Sequence, residues 1–431
     1  MTTAPATPLL TARLSVMMFL QFFVWGGWYV SQTGFMNDQQ MGGLTSAAYS
    51  VGPIAAILSP ILLGMIADRF FATERVLAVL HVIGGIALCA APRFASAFDP
   101  TTGGSAFLHP YIIALAVHML CYMPTLGLTT SLSMTHLSDA EKQFPRIRVW
   151  GTIGWIAANI VVGGNLKTWG LDVTWIATGD KSALQYYIAG GAGILLGLFA
   201  LSLPRTPPPL AGKSVSVREL LGLDALSLLA KPSYLVFVLC SFLLCIPLAG
   251  YYNCARNFVE FTGYKNPTLT MTFGQISEIV FMVIMPFCFA RLGVKWMLAV
   301  GMLAWVARYG LFTAAADDHI KWMVLAGIVL HGVCYDFFFV TGMVYAEQSA
   351  PRAIRGQSQS FLVLVTQGLG MLVGAQAFGK LVTHFTTGPN DAQVIDWKMV
   401  WLVPAGFAAL IMLVFIALFK DKQAADAKAA A

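Results

Sequence analysis

The sequence predicts an all-α, polytopic membrane protein of twelve transmembrane helices, and three observations carry that reading. Apolar residues fill 58% of the 431 positions and charged residues only 11%, with a mean hydropathy of +0.72. Soluble domains run at about 45–50% apolar and about 25% charged, so this chain has too little charge to cover a water-facing surface. Apolar runs of about 20 residues, the length of one crossing, recur along the whole chain. A closed barrel would instead show segments of about 10 residues with alternating polarity, and backbone in lipid offers no third solution.

The elements follow in order. Residues 1–11 are small and polar, Arg13 is the first basic residue, and a long apolar run follows. That pattern fits a retained first span rather than a cleaved leader. Spans are predicted at roughly 12–34, 44–67, 76–96, 109–135, 147–167 and 184–203, with edges good to about two to four residues. Gly190, Gly191, Gly193 and Gly197 crowd the sixth, as small residues do where helices approach closely in lipid. The stretch 204–231 then breaks the pattern with Pro204, Pro207, Pro208, Pro209 and a rise in charge. It reads as a linker. Six further spans are predicted at roughly 232–258, 267–290, 296–315, 321–346, 357–383 and 396–419, the fifth of them again Gly-rich at Gly368, Gly370, Gly374 and Gly379. The expected organisation is a six-helix bundle over 1–203, a linker over 204–231, a second six-helix bundle over 232–420 and a disordered tail over 421–431.

Orientation follows from basic residues. Alternate connecting segments hold 17 Lys and Arg residues on one side against 7 on the other, with Arg256 and Arg308 inside helices. The richer side is cytoplasmic, which puts both termini inside. The net charge of +6 then reflects topology and gives no reason to expect a nucleic acid partner. Seven cysteines and seven histidines show no CxxC pair and no metal-ligand spacing, so neither a cofactor nor a metal is expected. A membrane enzyme would need a nucleophile–base set or a metal cluster, and a sensor an added soluble domain; neither pattern is seen in the sequence.

Between the second and third spans the chain reads Gly64-Met-Ile-Ala-Asp68-Arg69-Phe-Phe-Ala-Thr-Glu74-Arg75. This resembles the loop motif of the major facilitator superfamily, and the six-plus-six layout with a cytoplasmic linker fits the same fold. The resemblance implies a gating role for Asp68, Arg69 and Arg75: Asp68 would cap a helix end of the neighbouring half or pair with its cations, a bond that holds the cytoplasmic side shut.

Charges at membrane depth cost about 2.5–3.5 kcal/mol on the insertion scale and are functional by default. Gln275 and Glu278 lie three apart on one helix face; His331, Tyr335 and Asp336 share another broad face; Asn253 and Asn257 lie four apart. Arg148, Thr152 and Trp155 follow 0, 4, 7 spacing, which aligns a cation, a hydroxyl and an aromatic plate. Carboxylates and amides bind hydroxyls and ring nitrogens, while Trp155 and Tyr335 can stack on a flat ring. A neutral solute with a planar heterocycle and a polyol, such as a nucleoside, suits both. Glu278 and Asp336 are the proton candidates, with Asp336 first because His331 on its helix is a second titratable group.

At these residues the chain resembles the nucleoside:proton symporter branch of the major facilitator superfamily. The similar segments are Phe19-Leu-Gln21-Phe-Phe-Val-Trp25-Gly26-Gly27-Trp28, Ile147-Arg148-Val-Trp150-Gly151-Thr152-Ile-Gly154-Trp155, Gln275-Ile-Ser-Glu278, Tyr335-Asp336-Phe-Phe and Arg355-Gly-Gln357. The resemblance implies that Arg148, Thr152, Asn253, Gln275, Glu278 and Asp336 line a nucleoside site, with Trp155 and Tyr335 at aromatic positions. Two positions depart from the branch: Gly250, where it can carry Gln, and His331, where it can carry Tyr. The expected protein is a monomeric nucleoside importer of the bacterial inner membrane, driven by protons. A proton-coupled sugar or glycoside carrier on the same fold is the alternative.

Overall fold

The computed structural model describes residues 8–62, 71–99, 104–208, 216–351, 354–388 and 394–420. We number its longer helices α1 (Pro8–Gly26), α2 (Thr45–Leu62), α3 (Thr73–Ala90), α4 (Pro110–Thr135), α5 (Ala140–Gly163), α6 (Leu184–Ala200) and α7 (Pro232–Phe261). They continue as α8 (Pro267–Ala316), α9 (Lys321–Ser349), α10 (Arg355–His384) and α11 (Trp397–Leu418). Among the described residues nine helices are long and apolar enough to cross a membrane. Strands are confined there to a two-residue ladder, β1 (Thr386–Thr387) against β2 (Val394–Ile395), in antiparallel register Thr386 to Ile395. Large apolar side chains such as Leu198, Val283, Phe287 and Leu413 stand exposed, the surface that suits acyl chains and not water.

The chain divides into two units, Met1–Val217 with Lys265–Leu269, and Arg218–Tyr264 with Thr270–Ala431. Asn266 and Thr268 tie the short segment into the first unit, donating to the Gly163 carbonyl at 2.9 Å and to Asp180 Oδ2 at 2.5 Å.

In the first unit the helices meet through small residues. Lipid gives apolar faces little reason to associate, so close backbone approach and dispersion must hold the bundle. A methyl built on Gly85 of α3 would lie 2.6 Å from the Gly190 carbonyl of α6, and one on Gly197 would lie 2.8 Å from the Ala78 carbonyl. Gly191 has open space around it, so only part of that glycine run is the packing seam. The seam between α1 and α5 is tighter still: a methyl on Gly154 would stand 2.1 Å from the Phe19 carbonyl oxygen. Leu14, Met17, Leu77, Leu128, Leu132 and Leu196 fill one end of the bundle.

Four elements differ in detail from the helical runs read in the sequence. The first run loosens after Gly26 and resumes as a short helix, Gln32–Asp38. Helix-like bonds bridge the gap, from Gly27 N to Phe23 O at 2.9 Å and from Gln32 N to Trp28 O at 2.8 Å. The runs expected at 267–290 and 296–315 form one helical assignment of 50 residues, broken at Gly293 with φ 64° and ψ 179°. Only glycine takes that conformation without strain, so the break sits between the two expected runs. In the second unit, α9 and α10 each contain a π-helical stretch, Tyr335–Val340 and Leu364–Gly370. Such widened turns recur at functional positions, and the first holds Asp336.

Candidate functional site

Helix α5 carries Arg148, Thr152 and Trp155 at the expected spacing. The close approach at Gly154 brings α5 onto α1, and the Arg148 guanidinium lies over the Phe22 ring, 4.1 Å from its centre. A cation on an aromatic face keeps its N–H groups in plane and free to fork onto a ligand. Thr152 is buried. Trp155 meets Trp25 edge-on, with ring centres 5.4 Å apart at 71°, and its Nε1 is buried without a hydrogen-bond partner among the described residues. An orphaned indole donor of this kind is costly unless a ligand or water meets it.

Behind Trp25 lies a polar network absent from the candidate list read in the sequence. Gln21 Nε2 donates to Thr125 Oγ1 at 2.8 Å, and His81 Nε2 meets Gln21 Oε1 at 2.9 Å. Thr125 Oγ1 donates to the Tyr122 carbonyl, and the Tyr122 hydroxyl donates to the Gln21 carbonyl, both at 2.6 Å. Every bond in this ring runs in one sense, which fixes the Gln21 amide and requires the proton on His81 Nε2. Tyr122 in turn packs on Trp25 with ring centres 5.7 Å apart. The network therefore holds the rings that back Trp155. Gln21, His81 and Thr125 lie on three different helices, and helix periodicity alone does not pair residues across helices.

In the second unit the site is assembled where α8 crosses α9. A methyl on Gly332 would lie 2.6 Å from the Ser277 carbonyl, so the two backbones nearly touch. Ser277 Oγ accepts from Gly332 N at 3.0 Å and donates to Gly274 O at 2.7 Å. This crossing brings Gln275 and Glu278, both half-buried, beside the segment that carries His331, Tyr335 and Asp336. Asp336 is fully buried, and among the described residues neither of its carboxylate oxygens has a hydrogen-bond partner. Glu278 is close enough to act on it through space.

His331 is sandwiched by aromatic rings. It stacks on Tyr251 at 5.7 Å and 17°, and meets Tyr335 at 5.9 Å; its Nδ1 has no partner among the described residues. Beyond Tyr251 the series ends in Arg308, whose guanidinium lies 4.2 Å from the Tyr251 ring centre. Arg308 donates from Nε to the Gly327 carbonyl at 2.9 Å, while its two terminal nitrogens are buried without partners among the described residues. The sequence showed Arg308 as a charge inside a helix but gave it no neighbours. Asn253 sits on the face of α7 that meets α10. Its Nδ2 donates to the Ala375 carbonyl at 3.3 Å, and its Oδ1 is a buried acceptor with no partner among the described residues.

Of the residues given a gating role, Asp68 and Arg69 lie outside the described residues, and Arg75 is exposed near the start of α3. No cluster of three or more His, Cys, Asp or Glu residues that could hold a metal occurs among the described residues. The seven cysteines are free thiols.

Comparison with known proteins bears on this architecture. YegT of Escherichia coli (strain K12), named provisionally as a nucleoside transporter, is 39% identical over 96% of this chain and 94% of its own length. The nucleoside permease NupG of the same organism is 31% identical over 96% of this chain and 97% of its own, and its xanthosine permease is 31% identical over 95% of each. The crystal structure of a substituted form of NupG superposes with a TM-score of 0.82, at 30% identity over 95% of this chain and all of that one. The profile of the family described as "Nucleoside H+ symporter" matches residues 9–424. A multi-pass helical membrane protein with that profile along nearly its whole length, and permeases as its relatives, is a transporter and not an enzyme: the chain belongs to the nucleoside H+ symporter family.

Proposed function

We propose that this protein imports nucleosides across a bacterial inner membrane by proton symport, with Asp336 and Glu278 handling the coupling proton. One observation carries the reading: Asp336 is buried with both carboxylate oxygens unpartnered among the described residues, next to a second acid, on a widened turn of α9. An ionised carboxylate without donors is expensive to bury. A proton has to neutralise it for the closed site to form, and a neutral carboxyl that then hydrogen-bonds the solute carries proton and solute across together.

On this reading Arg148, Thr152, Trp155, Asn253, Gln275, Glu278, His331, Tyr335 and Asp336 bind the solute. Asp68, Arg69 and Arg75 form the cytoplasmic gate. The bundles are 1–203 and 232–420, joined by the linker 204–231. Twelve crossings are supported by taking α8 as two helices about Gly293 and adding α5 and the shorter apolar α6 to the membrane-length set. The excess of basic residues on one set of connections supports cytoplasmic termini. The protein acts as a monomer.

The test is uptake of labelled nucleosides into proteoliposomes under an imposed pH gradient. Inward-directed protons should drive accumulation, and Asp336→Asn should abolish accumulation while leaving nucleoside exchange measurable. Uptake indifferent to the gradient, or full accumulation by the variant, would remove the proton role. A second reading, a sugar or glycoside carrier, gains weight from Gly250, where no side chain is available to read a base. Competition of uridine uptake by bases, nucleosides and sugars separates the two.

A further inference from the structure

We infer that Phe378 of α10, acting through Gly250 of α7, is a selectivity-determining residue of the solute site. The inference rests on the reading of this chain as a solute carrier whose site includes Asn253.

A methyl built on Gly250 would stand 2.0 Å from Phe378 Cζ and 2.2 Å from both Cε1 and Cε2. The tip of the ring therefore occupies the place where any side chain at 250 would begin. Phe378 is itself buried, with Trp401 behind it at 6.5 Å between ring centres, so the ring is backed and not loosely draped. Gly250 and Asn253 are three apart on α7 and share a face. Ala375 and Phe378 are three apart on α10 and share another. The Asn253–Ala375 hydrogen bond joins these two faces one turn from the Gly250–Phe378 contact.

The chemistry of this wall follows from its parts. Asn253 commits one Nδ2 hydrogen to the Ala375 carbonyl, which leaves its second N–H and its Oδ1 acceptor, the latter without a partner among the described residues. One turn away stands an apolar ring edge in place of a polar side chain. The wall offers one amide at one point and excludes polar atoms at the next. A nucleoside that donates an N–H or O–H to Asn253 and turns a C–H or methyl edge to Phe378 suits it. One that needs an amide partner from position 250 does not. Glutamine introduced at 250 alone collides with the ring, so the pair has to be exchanged together.

The experiment measures kcat/KM for uptake of cytidine, uridine, thymidine, adenosine, inosine and a pentose glycoside by reconstituted wild type, Phe378→Leu, Phe378→Ala and the double variant Gly250→Gln/Phe378→Ala. One or two lost carbon contacts change discrimination about tenfold or more. The expected result is a change of that size in the ratio between substrates for Phe378→Ala, less for Phe378→Leu, and a different preference order for the double variant. A purely structural role lowers every substrate together and leaves the ratios alone; ratios unchanged within about threefold in variants that still accumulate solute would overturn the inference. Gly250→Ala gives an independent check: it should impair transport in the wild-type background and be relieved by Phe378→Leu. Failure of that rescue counts against the pair. If wild type carries the glycoside and no nucleoside, the nucleoside reading fails, and the Phe378 ratios are read on glycosides instead.

Discussion

At the scale of single residues, the site is marked by polar atoms that have been buried and left unanswered. Trp155 Nε1, Asn253 Oδ1 and both Asp336 oxygens are buried without partners among the described residues, whereas Gln21, Thr125 and Tyr122 are joined by hydrogen bonds. Buried polar groups are ordinarily satisfied; Trp25 Nε1, Trp28 Nε1 and Trp401 Nε1 are orphaned in the same way, so an orphan points to the solute only together with the chemistry around it. Arg148 is half-buried, its guanidinium braced on Phe22. Arg148→Ala should reduce kcat/KM for uptake about tenfold to a hundredfold, the size of a lost hydrogen bond to a charged group. Arg148→Lys should recover only part, because an ammonium neither forks nor stacks as a guanidinium does; full recovery would reduce the role of Arg148 to bare charge. The types and spacing of Arg148, Thr152, Trp155, Glu278 and Asp336 were readable in the chain because a helix repeats and because acids are rare in apolar runs. The Gln21–His81–Thr125 ring, the stack from Arg308 to Tyr335 and the seat of Phe378 were not, since each depends on which helices become neighbours.

At the scale of elements, helix contacts here are set by the absence of side chains. Gly154→Ala would place a methyl against the Phe19 carbonyl, a rigid backbone atom that cannot step aside. Overpacking of this kind costs about 1–3 kcal/mol, and thermal unfolding in detergent should show it as a lowered transition, with transport falling in step. The same residue motif, Gly151-Thr152-Ile-Gly154-Trp155, thus joins helix contact through its glycines to the solute contact proposed for Thr152 and Trp155. The spacing suggests the second and does not reveal the first. At the end of α4, outside the spans, His136 Nε2 pairs with Thr206 Oγ1 at 2.9 Å, and Thr206 N donates to Glu74 Oε2 at 2.9 Å. Burial holds the His136 imidazole below the usual histidine range, with Glu74 opposing. The unfolded chain therefore takes up this proton more readily than the folded one, and the contribution to stability present at neutral pH is lost as pH falls through the ordinary histidine value. His136→Gln should unfold with a smaller loss of thermal stability between about pH 7.5 and pH 5.5 than wild type; an equal loss would remove His136 from the acid response.

At the scale of the whole molecule, low charge, apolar length and the basic bias were enough to read a helical membrane transporter, and the family match along residues 9–424 agrees. Those signals are additive over many residues and tolerate local error, which is why the class was legible while the loosening after Gly26 and the widened turns were not. A π stretch is locally an α-helix with surplus chain, and nothing in Tyr335-Asp336-Phe-Phe-Phe-Val marks it as such. It forms here against Gly301, where a methyl would meet Phe338 Cβ and N at 2.9 Å.

That surplus has a consequence for how α9 answers to length changes. Removing one residue from a regular helix turns everything beyond it by about 100°, which would point the far half of the helix at the wrong neighbours. Within Tyr335–Val340 the extra residue is already out of step with the α-helical ladder, so losing one there can tighten the turn and leave both flanks facing as before. A single-codon deletion scan along α9, read by fluorescence-detected size exclusion, should show its one tolerant window at that stretch, sparing Asp336 itself, and intolerance through Val324–Ile328. A flat profile would mean that the widened turn is not what keeps the two halves of the helix in phase.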